Sequence, residues 1–396
     1  MRGGRRLGVL TRSPAFAALA GARAVSLLGD GIGSLALIAY VQEQQGTGTA
    51  MGLLLLAASL PRLLSPLAGT VADRVDQRLV LAGGELGQGV LLVVAAAWLP
   101  PLPVLLVLLL AKATIVTVSE PAGVSAVPAL VDDEDLVAAN AVLGGLRQAG
   151  EVLGPILGGL VVYFGGIRAG LAVDALTFLV SVPLLSRVPR LPPSPRETVT
   201  GIWADARAGV RYMLRAPAIR TLTMGFFLVG LSAGDDVALP FLAAVLGAGI
   251  RGTGTLFAAV GAGLILGYLL LARRSGSAWA TSGLLIGGTL AALGNTLTGL
   301  APLIVAAVAF QMVRGVGLAV YETALQTALQ RTVPRQMLGG VSSNAYGAVN
   351  AGACLGLVVG GPLLDATSAR TVLVACGAIG LVGAVVSARP GRMASV

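Results

Sequence analysis

Long apolar runs separated by short polar stretches dominate this chain. The runs are about 20 residues long and show no two-residue alternation, so they predict helices that cross a lipid bilayer rather than strands of a β-barrel. In the first half we place spans at 15–41, 50–72, 79–99, 103–126, 138–163 and 168–187. In the second half we place them at 218–245, 252–272, 278–300, 302–325, 339–364 and 370–388. We therefore expect an all-α membrane protein with 12 transmembrane helices.

The two halves carry the same unusual residues in the same order. Lys112 and Glu120 recur 202 residues later as Arg314 and Glu322. The same separation relates Gly150, Gly154, Gly158 and Gly159 to Gly352, Gly356, Gly360 and Gly361. Such a duplication is typical of transporters whose substrate site lies between two bundles. We expect two pseudo-symmetric six-helix bundles, residues 1–188 and 218–396, joined by a cytoplasmic linker at 189–217.

The linker combines a proline-rich segment with a basic helical pattern. Four prolines fall between 189 and 195, after which arginines recur every fourth residue at Arg207, Arg211 and Arg215. With Trp203 on the apolar side, this segment predicts an amphipathic helix lying along the membrane surface. A solvated linker helix fits the same pattern.

Composition and charge agree with a membrane protein. Of 396 residues, 56% are hydrophobic and 11% are charged, against roughly 25% charged in soluble domains. The net charge of +9 could indicate nucleic acid as a partner. However, most arginines outside the spans fall on one predicted side of the membrane, and only Arg168, Arg251 and Arg370 fall on the other. The positive-inside rule then places both termini in the cytoplasm, with the lipid bilayer and not nucleic acid as the partner.

The residues needed for several kinds of enzyme are missing. The chain contains no histidine, so the GxSxG pattern around Ser232 cannot form a Ser-His site. Its single lysine, Lys112, follows an alanine, which excludes a GxxxxGK phosphate loop. The two cysteines, Cys354 and Cys376, lie inside apolar spans and indicate neither a disulfide nor a metal site. We predict no catalytic residue, no cofactor and no metal.

A short loop after the second span carries the pattern GxxxDRxxxR at Gly69, Asp73, Arg74 and Arg78. Glycine allows close helix contact, the aspartate can cap the next helix, and the arginines can bridge to acids on neighbouring helices. The pattern resembles the signature loop of the major facilitator superfamily. Asp76 and Gln77 stand where that family commonly has Gly and Arg. The resemblance implies that the loop locks the outward-open state.

A second motif lies in the fifth span. It comprises Gly150, Gly154, Pro155, Gly158 and Gly159, with the glycines on one helix face. Pro155 frees a backbone carbonyl and bends the helix. The run resembles the GxxxGPxxGG motif of drug/proton antiporters of the superfamily, although the motif's usual first glycine is replaced by Ala141. The resemblance implies a bent, smooth surface along which the two halves slide, and it suggests export. Plain helix packing explains the same spacing.

Two further stretches, 131–140 and 211–217, resemble the branch that includes enterobactin exporters and macrolide efflux proteins. The resemblance covers nearly the whole chain. It implies a monomeric, proton-coupled exporter of small amphipathic molecules, drug, antibiotic or siderophore-like, in the cytoplasmic membrane. It would work by rocker-switch alternating access. An importer or a lipid flippase of the same fold is an alternative. A membrane sensor or scaffold that transports nothing is an alternative from another class.

Charged residues inside spans are candidates for function because each costs about 2.5–3.5 kcal/mol to insert. Asp30, Lys112, Asp235 and Arg314 lie in spans 1, 4, 7 and 10, which in the resembled family line the central cavity. A carboxylate that loses contact with water gains proton affinity, and a nearby cation reverses this effect. We hypothesise that Asp30 is the main proton carrier, with Asp235 or Glu151 as second choice. Lys112 or Arg314 would hold the carboxylate or an anionic substrate.

Other interpretations of these charges remain open. Asp30 could form a structural salt bridge with Arg147 or Lys112. Arg147 and Glu151, four residues apart, match a helix-surface ion pair. Asp174, in the sixth span, could be a packing carboxylate with its hydrogen bonds satisfied. For Glu120 and Glu322 we expect loop arginines as partners, with Glu120 to Arg74 the favoured pair.

Overall fold

The computed structural model describes residues 3–64, 75–191, 211, 215–271, 280–333 and 338–388. Within these residues the chain forms helices and the turns that join them. In the first half the helices are α1 (Gly3–Arg12), α2 (Pro14–Gln44), α3 (Gly48–Ser59), α4 (Gln77–Trp98), α5 (Leu102–Ala126) and α6 (Leu136–Leu185). In the second half they are α7 (Pro217–Leu231), α8 (Asp235–Val245), α9 (Gly249–Leu271), α10 (Ala280–Leu300), α11 (Ile304–Thr332), α12 (Leu338–Ala366) and α13 (Ala369–Ala388).

Ten helical segments of the described residues are long and apolar enough to cross a membrane. One of them, Asp133–Leu185, has 53 residues, whereas a single crossing needs about 20. Gly166 interrupts it with φ 79° and ψ 178°, a backbone conformation that glycine adopts without a steric penalty. This break falls between the predicted fifth and sixth spans. Helix α3 continues into a 3₁₀ segment, Leu60–Leu64, to form a shorter apolar helix.

Every predicted span overlaps a helix of the described residues, and the fifth and sixth spans share α6. Two other differences are clear. Helix α11 continues to Thr332, seven residues beyond the predicted end at 325. Although the added turns contain Gln326 and Gln330, Ala328 and Leu329 are buried in an apolar cluster and keep the helix packed. The predicted span 218–245 is also not one helix. A 3₁₀ turn, Ser232–Gly234, separates α7 from α8.

The chain divides into two compact units. The first unit comprises Met1–Gln44 and Ala57–Glu197, and the second comprises Gln45–Leu56 and Thr198–Val396. Residues 45–56, which precede most of the first half, group with the second unit because Asp365 at the end of α12 binds the start of α3. Its carboxylate accepts hydrogen bonds from Gly48 N (2.5 Å), Thr49 N (2.9 Å) and Thr49 Oγ1 (2.6 Å). The two backbone N–H groups are among the unpaired donors of the first turn of a helix.

Close backbone packing defines each unit. In the first unit α2 packs on α6, where a Cβ placed on Gly154 would lie 2.8 Å from Gly31 Cα and one on Gly158 would lie 3.0 Å from Ile32 Cα. In the second unit α12 packs on α7 in the same manner, and a Cβ on Gly356 would collide with the backbone oxygen of Leu231. Both glycine runs therefore serve helix contacts within their own unit.

The first turn of α4 corrects one prediction about the signature loop. The residue that caps this helix is Asp76, whose Oδ1 accepts hydrogen bonds from Arg78 N (2.9 Å) and Leu191 N (3.2 Å). The helix begins at Gln77, so Asp76 occupies the capping position, while Asp73 lies three residues earlier and outside the described residues. The residue that departs from the family pattern thus supplies the cap.

Candidate functional site

The first unit contains a buried ion pair between two helices. Lys112 on α5 and Asp30 on α2 approach to 2.5 Å between Nζ and Oδ1. The lysine side chain is 13% exposed and the aspartate 36%. Lys112 Nζ also lies 5.1 Å from the ring centroid of Phe178 on α6. Of the two partners weighed for Asp30, the structure pairs it with Lys112.

The second unit repeats the arrangement with two adjacent acids beside the cation. Arg314 on α11 lies 2.6 Å from Asp235 Oδ2 and 3.6 Å from Asp236 Oδ1 at the start of α8. The Asp235 contact is an ion pair by distance, but its angles do not make it a hydrogen bond. Asp235 is fully buried, whereas the side chain of Asp236 is 38% exposed. One guanidinium therefore lies at ion-pair distance from two carboxyl groups.

Polar side chains hold the arginine in place. Arg314 Nη1 donates to Gln311 Oε1 at 3.2 Å, and Gln311 Nε2 donates to Thr298 Oγ1 at 3.2 Å. Gln311 and Thr298 are fully buried. A guanidinium presents several donors in a fixed plane, which suits simultaneous contact with two carboxylates and an amide.

The sequence interpretation missed Glu85, a buried carboxyl of the first unit. It lies on α4 inside the third predicted span and is 4% exposed. Arg23 on α2 attracts this carboxyl electrostatically, and Arg23 Nη2 donates to Ser119 O at 3.3 Å. Glu85 lies seven residues past Arg78 and so inside the predicted span. The rule that every charged residue within a span is a candidate would therefore have found it.

Asp174 is buried as expected for a packing carboxylate, but it is not satisfied. Asp174 is fully buried and lies in the part of α6 that follows the break at Gly166. Among the residues that the structure describes, neither side-chain oxygen has a hydrogen-bond partner. Buried polar groups normally have partners, so this carboxyl requires a separate explanation.

The remaining predicted acids lie apart from both buried pairs. Arg147 on α6 is 3.6 Å from Glu151 and 3.4 Å from Glu120, and all three side chains are about half exposed. Arg147 and Glu151 thus form the expected helix-surface pair. Glu322 accepts a hydrogen bond from the Tyr268 hydroxyl at 2.6 Å. Arg74 lies outside the described residues, so the pair of Glu120 with Arg74 stays a prediction.

The predicted gating residues fall into two groups. Gly69, Asp73 and Arg74 lie outside the described residues, as does most of the predicted amphipathic linker helix. Arg78 is in the first turn of α4, where its backbone N–H binds the cap. Gly150, Gly154, Pro155, Gly158 and Gly159 lie in α6, and the four glycines of this motif are buried. Their packing role is observed, and their gating role stays a prediction.

The geometry suits the storage and exchange of charge rather than bond-breaking chemistry. Each unit places a cation on one helix against carboxyls on another, with one partly exposed carboxyl, Asp30 or Asp236, within reach of the cation. Among the described residues no group of three or more His, Cys, Asp or Glu could hold a metal ion. Such pairs can release or bind a proton when their contact with water changes.

Comparison with known proteins gives the family. Residues 19–280 match the family model described as Major Facilitator Superfamily. The enterobactin exporter EntS of Escherichia coli O9:H4 (strain HS) is 30% identical over 347 residues, covering 85% of this chain and 82% of the exporter.

Solved structures share the fold at low sequence identity. The nucleoside transporter NupG is 14% identical and superposes with a TM-score of 0.76, covering 94% of this chain and 98% of that chain. A bacterial homologue of the iron transporter ferroportin, in an inward-facing state, is 18% identical with a TM-score of 0.72, covering 95% and 99%.

Proposed function

This chain belongs to the major facilitator superfamily of membrane transporters, and on that premise we propose that it is a proton-coupled exporter of small amphipathic molecules. The observation that carries the proposal is the pair of buried charge clusters. Lys112 with Asp30 and Arg314 with Asp235 occupy corresponding helices of a duplicated chain. A packing role alone does not require charges in a membrane span, because apolar side chains fill such positions at lower cost.

The partial exposure of one carboxyl in each cluster supports the proposed proton coupling. Asp30 is partly exposed and bound to a buried ammonium, so a change of water access changes its proton affinity. We propose that Asp30 is the main group that exchanges protons with water. Lys112 and Arg314 bind the carboxylates. The driving force would be the transmembrane gradient, about 2.3 kcal/mol per charge per 100 mV.

The proposed architecture is 12 spans in two six-helix bundles that alternate access by rocking. The ten long segments, the break at Gly166 and the shorter apolar helix Gly48–Leu64 support this count. The proposed bundles are 1–188 and 218–396 with the linker at 189–217, and the positive-inside rule supports cytoplasmic termini for a monomer in the cytoplasmic membrane. We propose no enzymatic activity, no cofactor and no nucleic-acid partner.

For the substrate we propose a siderophore-like molecule, because the relative named an enterobactin exporter covers most of the chain. The signature glycines of α6 support the direction of transport through the antiporter motif that they resemble. Drugs and antibiotics of similar size and amphipathic character belong to the same class.

Transport in reconstituted vesicles tests the proposal. Purified protein is placed in proteoliposomes with an acidic lumen, and uptake of enterobactin or a fluorescent lipophilic cation is followed. We expect the probe to accumulate against the outward proton flux, and a protonophore to abolish the accumulation. Asp30→Asn should remove the proton dependence, while Glu134→Gln, at an exposed acid, serves as the control.

Two results would overturn the proposal. Accumulation in the same direction as the protons would identify an importer. Native proton coupling in the Asp30→Asn variant would remove Asp30 from its assigned role.

A further inference from the structure

Asp174 is a buried carboxyl for which the described part of the chain provides neither an ion pair nor a side-chain hydrogen bond. It lies on the second part of α6, fully buried, and among the described residues both of its oxygens lack a hydrogen-bond partner. An ionised carboxylate in that position would be strongly disfavoured. The group therefore carries a proton in this state or shares a cation in another.

The neighbouring helix leaves space for this carboxyl. Gly29 and Gly33 lie one turn apart on α2, on the face that meets Asp174. A Cβ on Gly29 would lie 2.9 Å from Asp174 Oδ1, and one on Gly33 would collide with Oδ2. The two missing side chains provide the volume that the carboxyl occupies.

The second unit shows that helix packing does not require an acid here. The residue 202 positions after Asp174 is Cys376, which is also buried. Gly234 precedes Asp235 as Gly29 precedes Asp30, and a Cβ on Gly234 would lie 3.5 Å from Cys376 Sγ. The same place in the packing thus accepts a neutral side chain.

Lys112 interacts with both Asp30 and Asp174. Its ammonium binds Asp30 and lies 5.1 Å from the ring centroid of Phe178, which is one helical turn after Asp174. Asp174 is attracted electrostatically by Lys112 and repelled by Asp30 and by Glu85 on α4. Glu85 in turn faces Arg23, so Lys112 is the cation available to both aspartates.

We infer that Asp30 and Asp174 share one proton around Lys112. In this structure Asp174 holds the proton and Asp30 is the carboxylate bound to Lys112. In the second arrangement the proton has moved from Asp174 to Asp30, and Lys112 pairs with the Asp174 carboxylate. Each arrangement contains one carboxylic acid, one carboxylate and one ammonium, so the net charge stays zero.

This inference rests on the proposed proton coupling and adds Asp174 as the group that holds the proton between exchanges. Asp30, which is partly exposed, exchanges the proton with water, and Asp174, which is buried, retains it between exchanges. Release from Asp30 leaves both carboxylates ionised around one ammonium, a state that favours uptake of the next proton.

Thermal unfolding of purified variants in detergent gives the first test. Asp30→Asn and Asp174→Asn each leave Lys112 one carboxylate, so each should lower the melting temperature little. The double variant leaves the ammonium without a partner, and its loss should exceed the sum of the single losses. Adding Lys112→Met should restore most of that loss. Asp174→Cys, which copies the second unit, replaces Asp174→Asn if the latter does not fold. Additive losses would overturn the inference.

Infrared difference spectroscopy gives a readout that packing alone would not change. The carbonyl stretch of a protonated carboxyl should disappear in Asp174→Asn and also in Asp30→Asn, because Asp174 then ionises to pair with Lys112. The same band should persist in Glu85→Gln. If it persists in Asp30→Asn, the proton is not shared. Neither experiment uses a substrate or a gradient, so their outcome is independent of the transport assay.

Discussion

The two units contain the same set of charged groups, one cation and two acids, but the acids lie in different places. The first unit sets Lys112 against Asp30, with a second acid, Asp174, on a different helix. The second unit sets Arg314 against two adjacent acids, Asp235 and Asp236. Each cluster has one cation and two carboxyls. The duplicated fold therefore preserves the composition of the cluster more strictly than the position of its members.

The helices that carry the acids differ accordingly. In the first unit α2 is continuous through Asp30, and Gly31 follows the acid in the close contact with α6. In the second unit a 3₁₀ turn ends directly before Asp235, and Asp236 takes the place that corresponds to Gly31. A planar guanidinium can bind two adjacent carboxylates, whereas an ammonium serves as a point charge. We therefore expect the ion pairs of Arg314 to be fixed, whereas Lys112 can exchange one carboxylate partner for another.

Removal of each cation tests this comparison most strongly. Arg314→Met should destabilise the protein by about 3–5 kcal/mol, because it removes the cation that balances the fully buried Asp235. Lys112→Met should cost less, because Asp30 is partly exposed and can be solvated. Thermal unfolding in detergent measures both. As control, Asp235→Asn added to Arg314→Met should recover part of the loss. Equal losses for the two cations would contradict the comparison.

Exchange of the two cations is the next largest effect. Arg314→Lys keeps the charge but cannot contact Asp235, Asp236 and Gln311 together, so we expect a loss of about 1.5–3 kcal/mol from weaker ion pairs and the lost hydrogen bond to Gln311. Lys112→Arg retains a partner for Asp30 and should cost less. Denaturation curves of the two variants, recorded side by side, should separate them. A lysine tolerated at 314 would show that the fixed pair needs only charge.

The glycine contacts of the two units should be similarly sensitive. Gly154→Ala forces a Cβ to 2.8 Å from Gly31 Cα, and Gly356→Ala drives one into the Leu231 carbonyl. Backbone cannot move aside as a side chain can, so each should cost about 1–3 kcal/mol, the second more than the first. Gly145→Ala and Gly347→Ala, whose Cβ atoms would meet nothing within 4 Å, are the matched controls. Losses as large in the controls would attribute the effect to the helices and not to the contact.

The helix caps are expected to give the smallest effects. Asp365→Ala removes three hydrogen bonds at the start of α3 in the second unit, and Asp76→Ala removes two at the start of α4 in the first. We expect losses of about 1–2 kcal/mol and about 1 kcal/mol respectively. The Asp→Asn variants retain an acceptor and should stay close to the native melting temperature. A reversed order would indicate that solvent replaces the bonds of Asp365.

Much of the helical fold could be predicted from the sequence. Apolar runs about as long as a bilayer is thick determine where helices begin and end, because backbone groups in lipid must bond within the helix. The same reasoning ended α11 too early, since residues after 325 are polar on one face and buried on the other. The duplication at a separation of 202 residues identified Lys112 and Arg314 as counterparts, and each lies in a buried ion pair.

Which charges meet was decided by the tertiary structure. The sequence left Arg147 and Lys112 open as partners of Asp30, and only the tertiary structure, which brings Lys112 Nζ to Asp30 Oδ1, selects Lys112. Spacing also could not show that Gly29 and Gly33 make room for Asp174, or that Asp76 and not Asp73 begins the next helix. Hydropathy determines the position of each helix separately and can be read from the sequence. Pairing depends on how neighbouring helices rotate and approach, and that is a property of the packed fold.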